Sequence, residues 1–168
     1  MNNMNKSYIA VNGWNAYVRF SSAHIIPEYE KCGRLHGHTY AIQCKIFGIP
    51  DEKGIIADFS VIKQLLRNIA NSLDHKILIP INSNVVNITE KNKEISVHSL
   101  GKNYVFPSSD CVLLPIPSTS AENLALYILD TFIDDFKPEK NINSIEIGVD
   151  EGYGQGARVQ KDIKQLVE

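Results

Sequence analysis

The chain has 168 residues, 43% hydrophobic and 21% charged, the range of a single globular domain large enough to bury a core. A formal charge of -2 and a pI of about 6.2 give no basic excess for nucleic acid, and no stretch approaches the roughly 18 consecutive apolar residues of a membrane helix. Met1 to Lys6 are polar without a signal-peptide core, and Cys32, Cys44 and Cys111 are odd in number and widely spaced, so reduced thiols and a cytoplasmic location are expected.

From Tyr8 to Phe20 apolar and polar residues alternate loosely, which reads as a strand or bent hairpin. A loop with Pro27, Glu28 and Glu30 follows. His38 to Phe47 alternates again as a second strand, stopped by Gly48, Ile49 and Pro50. Asp58 is placed to cap a helix over about Phe59 to Leu73, where Ile62, Leu65, Leu66 and Ile69 recur at helical spacing. Between Lys76 and Leu114, the runs Val85–Thr89, Ile95–His98, Tyr104–Phe106 and Cys111–Leu114 predict short strands in hairpins. Thr119 to Glu122 matches the S/T-x-x-E capping box and opens a second helix, with Glu122 explained as the capping acid. Leu124, Ile128 and Phe132 continue its apolar face toward Phe136, and Pro138 closes it. Ile145–Val149 and Ala157–Gln160 form a last pair of strands around Gly152, Gly154 and Gly156. The sum is an α+β domain over residues 1–168, an antiparallel sheet with helices on one face and edges that suit oligomerisation.

Three of the five histidines lie between His24 and His38. His36 and His38, two apart on a strand, share a face, and His24 at the end of the preceding strand can complete a three-nitrogen site. Zinc favours imidazole, and a catalytic zinc keeps three protein ligands and one open position. The alternative is three histidines bonded to nearby backbone. Cys32 falls four residues before His36. A thiol beside a metal ion and basic side chains such as Arg34 ionises readily and can serve as base or nucleophile; as a fourth zinc ligand it would have a different role. Cys44 and Cys111 sit in apolar runs and belong to the core. Asp74-His75 in a loop can act as a proton relay, or simply place a histidine at a helix end. Glu151, before a glycine-rich run, could accept hydrogen bonds from the edge of a pterin or guanine, or be an ordinary turn acid. His98 has no companion.

Phe20-Ser-Ser-Ala-His24, Cys32-Gly-Arg-Leu-His-Gly-His38, Gly54 to Phe59, Leu73-Asp-His75 and Ala121-Glu-Asn-Leu-Ala125 resemble, in this order, the 6-pyruvoyltetrahydropterin synthase / 6-carboxytetrahydropterin synthase family. The resemblance runs from about Phe20 to Val159. It implies the tunnelling fold (T-fold): an antiparallel sheet with two helices, three subunits closing a barrel, two barrels stacking into a homo-hexamer, and active sites between subunits. It implies zinc on His24, His36 and His38, an acid/base set of Cys32, Asp74 and His75, and Glu151 as the anchor of the pterin ring. The implied substrate is 7,8-dihydroneopterin triphosphate, with no nucleic-acid or membrane partner. The spacing Cys-x-x-x-His-x-His is similar to the carboxy-forming enzymes of the queuosine and archaeosine (7-deazaguanine) route. Two departures stand out. Gly152 replaces the threonine that many relatives have after the anchoring acid, and the segment from Pro80 to Pro117 is a longer, hairpin-like insertion.

Three readings therefore compete: a carboxy-forming synthase, a pyruvoyl-forming synthase built from the same residues, and a zinc-stabilised scaffold that binds pterins without turning them over. A scaffold would need the histidines and Glu151 but neither Cys32 nor Asp74-His75.

Overall fold

A computed structural model describes residues 7–163. Met1 to Lys6, read above for a leader, and residues 164–168 at the end of the expected domain lie outside the described residues. The chain runs through strands β1 (Ser7–Val11), β2 (Arg19–His24) and β3 (His36–Gly48), then helix α1 (Phe59–Leu73). Strands β4 (Lys76–Pro80), β5 (Asn87–Lys91), β6 (Glu94–Ser99), β7 (Lys102–Pro107) and β8 (Cys111–Leu114) follow, then helix α2 (Ala121–Phe136) and strands β9 (Ile142–Glu151) and β10 (Gly156–Asp162).

The main sheet has the order β10-β9-β3-β2-β4-β8, with β1 also paired to β3. Its pairs are antiparallel except β2 with β4 and β4 with β8, which are parallel. The expectation of an α+β T-fold with two helices on an antiparallel-rich sheet holds, with this mixed margin as the added detail. The expected strand or hairpin over Tyr8–Phe20 is neither. Both β1 and β2 pair with β3, at Cys44–Gly48 and His36–Ala41 respectively, and a turn between them lets one long strand serve both. That turn presses Gly13 so close to β3 that a Cβ there would sit 2.8 Å from the Ile42 backbone nitrogen, which only glycine avoids.

Alternation decides which face each strand buries. In β2, Phe20, Ser22 and His24 are buried, while Arg19, Ser21 and Ala23 are partly exposed. In β9, Ile145, Ile147 and Val149 face the helices with Ile42, Cys44 and Ile46 of β3. Helix α1 contributes Ile62, Leu66, Ile69 and Leu73 to this core, and α2 contributes Leu124, Ile128, Leu129 and Phe132. Burial pushes the Cys44 thiol up to about 12, with the Glu146 charge adding to it, as suits an inert core cysteine. The opposite face is polar: Lys45 pairs with Glu146 at 3.0 Å and Arg158 with Asp150 at 2.6 Å.

Asp58 caps α1 as expected, accepting from the Ser60 N–H at 2.6 Å. The start of α2 differs from the sequence expectation. The cap is Ser120, which accepts from the Asn123 N–H at 3.4 Å. Thr119 is fully buried and donates its hydroxyl to the Ile25 carbonyl at 3.2 Å. Three consecutive hydroxyls, Ser118, Thr119 and Ser120, compete for the cap, and tertiary contact removes Thr119 from the contest. Glu122 is thereby freed from the capping role.

Strands β5, β6 and β7 form a separate antiparallel sheet. Ile95 and Val97 of this sheet build a second apolar cluster with Ile25, Ile79 and Val86, and Cys111 packs at its margin. Of the expected 80–117 insertion, β4 and β8 at its borders belong to the main sheet and residues 87–107 make the added layer.

Candidate active site

His24 on β2 stands opposite His36 on β3, and Ser22 opposite His38. Residues opposite each other in an antiparallel pair share a face, so all three imidazoles rise from one side of the sheet. Their ligand nitrogens lie within 4.8 Å of one another. Among the described residues this three-histidine group is complete without Cys32. His24 Nδ1 lies 3.0 Å from the Thr119 carbonyl, and His36 Nδ1 lies 2.8 Å from the Arg34 carbonyl. These backbone acceptors fix Nδ1 as the protonated nitrogen and leave both Nε2 atoms free to ligate. The two Nε2 atoms are 3.1 Å apart. Two ligands on one tetrahedral zinc ion are separated by roughly 3.3 Å, so this donor set fits such an ion.

Burial pulls the His24 pKa from its ordinary 6.5 down to about 4; the Thr119 carbonyl opposes this, and the neighbouring His36 and His38 add to it. The ring is therefore neutral at pH 7, the form a metal requires. Tyr40, fully buried two residues beyond His38, places its hydroxyl 3.3 Å from His24 Nδ1. Burial, with the charge of Glu151 added, raises the Tyr40 pKa well above the phenol range, so it stays protonated.

Glu151 pairs with Tyr40 in the sheet and so lies on the histidine face. Its Oε1 is buried and, among the described residues, has no hydrogen-bond partner. A buried carboxylate oxygen without a donor is costly and calls for one from a ligand. It lines a cleft of about 350 Å³ that also takes in Cys32, Ser120 and Glu122. The sequence reading missed Glu122 because the hydroxyl three residues before it mimics a capping box. The cleft therefore carries two carboxylates beside the thiol. Gly152 has φ +99°, a region where a threonine would be strained, which accounts for glycine after the acid here.

Cys32 is in a tight loop between β2 and β3, held by Ile26 N–H to the Cys32 carbonyl at 2.8 Å and Gly33 N–H to the Tyr29 carbonyl at 2.6 Å. Asp74 and His75 follow α1. His75 adopts φ 56°, and this left-handed backbone folds its Nδ1 back to Asp74 Oδ2 at 2.7 Å. The other Asp74 oxygen accepts from the Ser21 N–H at 2.7 Å. Burial disfavours the Asp74 charge, but the bonds from Ser21 and then His75 outweigh it and hold the carboxyl below the usual range. Within one chain this pair does not join the thiol. His75 opens onto a different cleft, beside Ser21, Ser22, Ala23, Gly37, His38 and Thr39, which Cys32 and Glu151 do not line. A cleft of about 830 Å³ between Asp51, Val61 and Phe136 shares no residue with either.

The sequence profile described as 6-pyruvoyl tetrahydropterin synthase matches residues 15–162. A Methanocaldococcus jannaschii protein provisionally named 6-carboxy-5,6,7,8-tetrahydropterin synthase is 40% identical over 157 residues, covering 91% of this chain and 96% of that protein. The Bacillus subtilis 6-carboxy-5,6,7,8-tetrahydropterin synthase is 36% identical over 67 residues, 38% of this chain and 44% of that one. The crystal structure of Plasmodium vivax 6-pyruvoyltetrahydropterin synthase superposes with a TM-score of 0.86 at 32% identity, covering 95% of this chain and 99% of that one. The same Plasmodium vivax enzyme with its catalytic glutamate replaced by alanine gives 0.87 at 31% identity, with the same coverage. With the profile spanning nearly the whole chain and the fold shared at that level, the chain belongs to the 6-pyruvoyl tetrahydropterin synthase family.

Proposed function

We propose that this protein is a zinc-dependent 6-carboxy-5,6,7,8-tetrahydropterin synthase, a lyase acting on 7,8-dihydroneopterin triphosphate. The products are 6-carboxytetrahydropterin, acetaldehyde and triphosphate, an entry to 7-deazaguanine synthesis. The observation that carries the reading is the convergence of three histidines, a cleft thiol and an unpartnered carboxylate on one side of one sheet. The names of the Methanocaldococcus and Bacillus relatives favour the carboxy-forming branch.

His24, His36 and His38 hold the metal. When bound, zinc supplies Lewis-acid chemistry that makes the hydroxyls and adjacent C–H of the substrate side chain more acidic. Glu151 and Glu122 accept hydrogen bonds from the amino and ring N–H edge of the pterin. This orients the side chain and replaces the donor that Glu151 Oε1 lacks. Cys32 takes a proton from the side chain as thiolate. The Asp74-His75 pair moves the second proton, with Asp74 fixing the His75 tautomer by accepting at Nδ1 and leaving Nε2 to exchange. Because that pair opens onto a cleft that Cys32 does not line, it reaches a thiol in an adjoining subunit, as the active sites between subunits of a hexamer require. The polar face carrying Lys45, Glu146, Asp150 and Arg158 then lines the barrel interior.

The test is to incubate the zinc-loaded protein with 7,8-dihydroneopterin triphosphate, identify products by mass spectrometry, and run Cys32→Ala in parallel. Carboxytetrahydropterin and acetaldehyde from the wild type, with turnover at least about a hundredfold lower in the variant, support the assignment. The pyruvoyl product would move the protein to the other branch. No turnover with zinc and pterin both bound would leave the scaffold reading in its place.

A further inference from the structure

Two hairpins of the added sheet turn through two residues with positive φ, the geometry of a type I′ turn. In the β5–β6 hairpin, Lys91 pairs with Glu94 and the turn is Asn92 (φ 54°) and Lys93 (φ 63°). Asparagine first is the ordinary choice, because its side chain tolerates the left-handed region. In the β6–β7 hairpin, Ser99 pairs with Lys102 and the turn is Leu100 (φ 52°) and Gly101 (φ 71°). A bulky leucine in the left-handed region is an outlier, and such strain persists only where something else requires the residue.

What requires it is visible at the tip. The Leu100 side chain lies directly on Gly33, the residue after Cys32. A Cβ at position 33 would collide with Leu100 Cδ1 and lie 2.7 Å from the Tyr29 carbonyl oxygen. The Tyr29 carbonyl alone demands glycine at 33, and Leu100, 53% exposed, rests its Cδ1 against that glycine. The other end of the thiol loop meets the same sheet, since Ile25 packs with Ile95 and Val97 of β6 and receives the Thr119 hydroxyl on its carbonyl. Ser99, beside Leu100, is buried to 1% exposure. Both ends of the 25–33 segment are therefore clamped by β6 and its turn.

We propose that the sheet β5–β7 is a brace for the thiol loop and that Leu100 is a positioning residue for Cys32. This rests on Cys32 being the reacting thiol. The loop's own bonds, Ile26 to Cys32 and Gly33 to Tyr29, fix its shape but not its place on the sheet. Leu100 and Ile25 supply the place. The strained turn is retained because its side chain is needed at Gly33, not because the hairpin needs leucine.

The decisive variant is Leu100→Asn in the full chain, since asparagine suits the turn and removes the contact. The thermal midpoint should stay level or rise. Amide exchange at Ile26 and Gly33 should quicken by about tenfold or more, with the rest of both sheets unchanged. Turnover of 7,8-dihydroneopterin triphosphate should lose about ten- to a hundredfold in kcat with KM little altered, the signature of a misplaced reacting group. Leu100→Met, which keeps an apolar side chain over Gly33, should restore most of the kcat. Wild-type exchange in residues 25–35 together with wild-type kcat overturns the proposal. So does a lowered midpoint with faster exchange throughout β5–β7, which would make Leu100 merely structural. Cys32→Ala turning over at the wild-type rate would sink the catalytic assignment of Cys32, while the exchange result would still decide the brace.

Discussion

His24 combines complete burial with two polar contacts, and the burial makes the stability of the fold depend on its charge state. Its folded pKa of about 4 lies below the ordinary 6.5, so in that window the unfolded chain binds the proton and the folded one does not. Stability of the metal-free protein should therefore rise with pH across the window. It should fall by roughly 3 kcal/mol as pH drops from 6.5 toward 4. Urea melts of chelator-treated wild type and His24→Asn at pH values through this range would check it. The difference between the two proteins should shrink steadily on acidification, and a difference independent of pH would contradict the assignment. The pairing of His36 with His38 was legible in the sequence, because a two-residue spacing on a strand fixes a shared face, whereas His24 joins them through the register of β2 on β3. Thr119 as the group orienting His24, and Glu122 as a cleft acid, were not. Each depends on the approach of α2 to a loop about a hundred residues earlier, and local spacing carries no trace of that approach.

Helix α2 enters the site at its first turn, and its start is where local pattern and tertiary contact disagree. The S/T-x-x-E signature is satisfied by Thr119 and Glu122, yet the cap is Ser120. Ser120→Ala should cost about 1 kcal/mol in denaturant unfolding, the usual loss for a helix N-cap. A negligible cost there, with a loss of that size at Glu122→Ala instead, would restore the capping box. Helix α1 shows the opposite case. Asp58 is the one capping residue directly before its apolar repeat, so pattern and structure agree from cap to Leu73. Strand boundaries show a third behaviour. The runs around β3 and β9 were readable, but β3 extends back to His36 and β9 out to Glu151, because those residues gain partners on neighbouring strands. Those extensions carry His36 and Glu151 into the sheet.

At the scale of the whole molecule, the placing of Cys32 and His75 in separate clefts sets the strongest demand. If each active site takes its thiol from one subunit and its histidine from another, two inactive variants should complement each other. Equal amounts of Cys32→Ala and His75→Ala, mixed, dissociated and reassembled, should recover roughly a quarter of wild-type activity, since half of each partner position is intact. No recovery from a correctly assembled mixture would mean that both groups act within one chain. None of the described helices is long and apolar enough to cross a membrane, in keeping with the charge and hydropathy of the sequence.

The sequence by itself determined the two helices, the alternating strands and the shared face of His36 and His38, because each follows from spacing within a few residues. Residue order alone also placed Cys32 in a loop, through the glycine and charged residues that follow it. Only the tertiary structure decided that the Thr119 carbonyl meets His24, that Glu122 lines the cleft with Cys32, that Leu100 reaches Gly33 and that His75 opens onto a separate cleft beside His38. Those facts depend on segments distant in the chain meeting with a particular register, and side-chain packing, not local periodicity, selects that register.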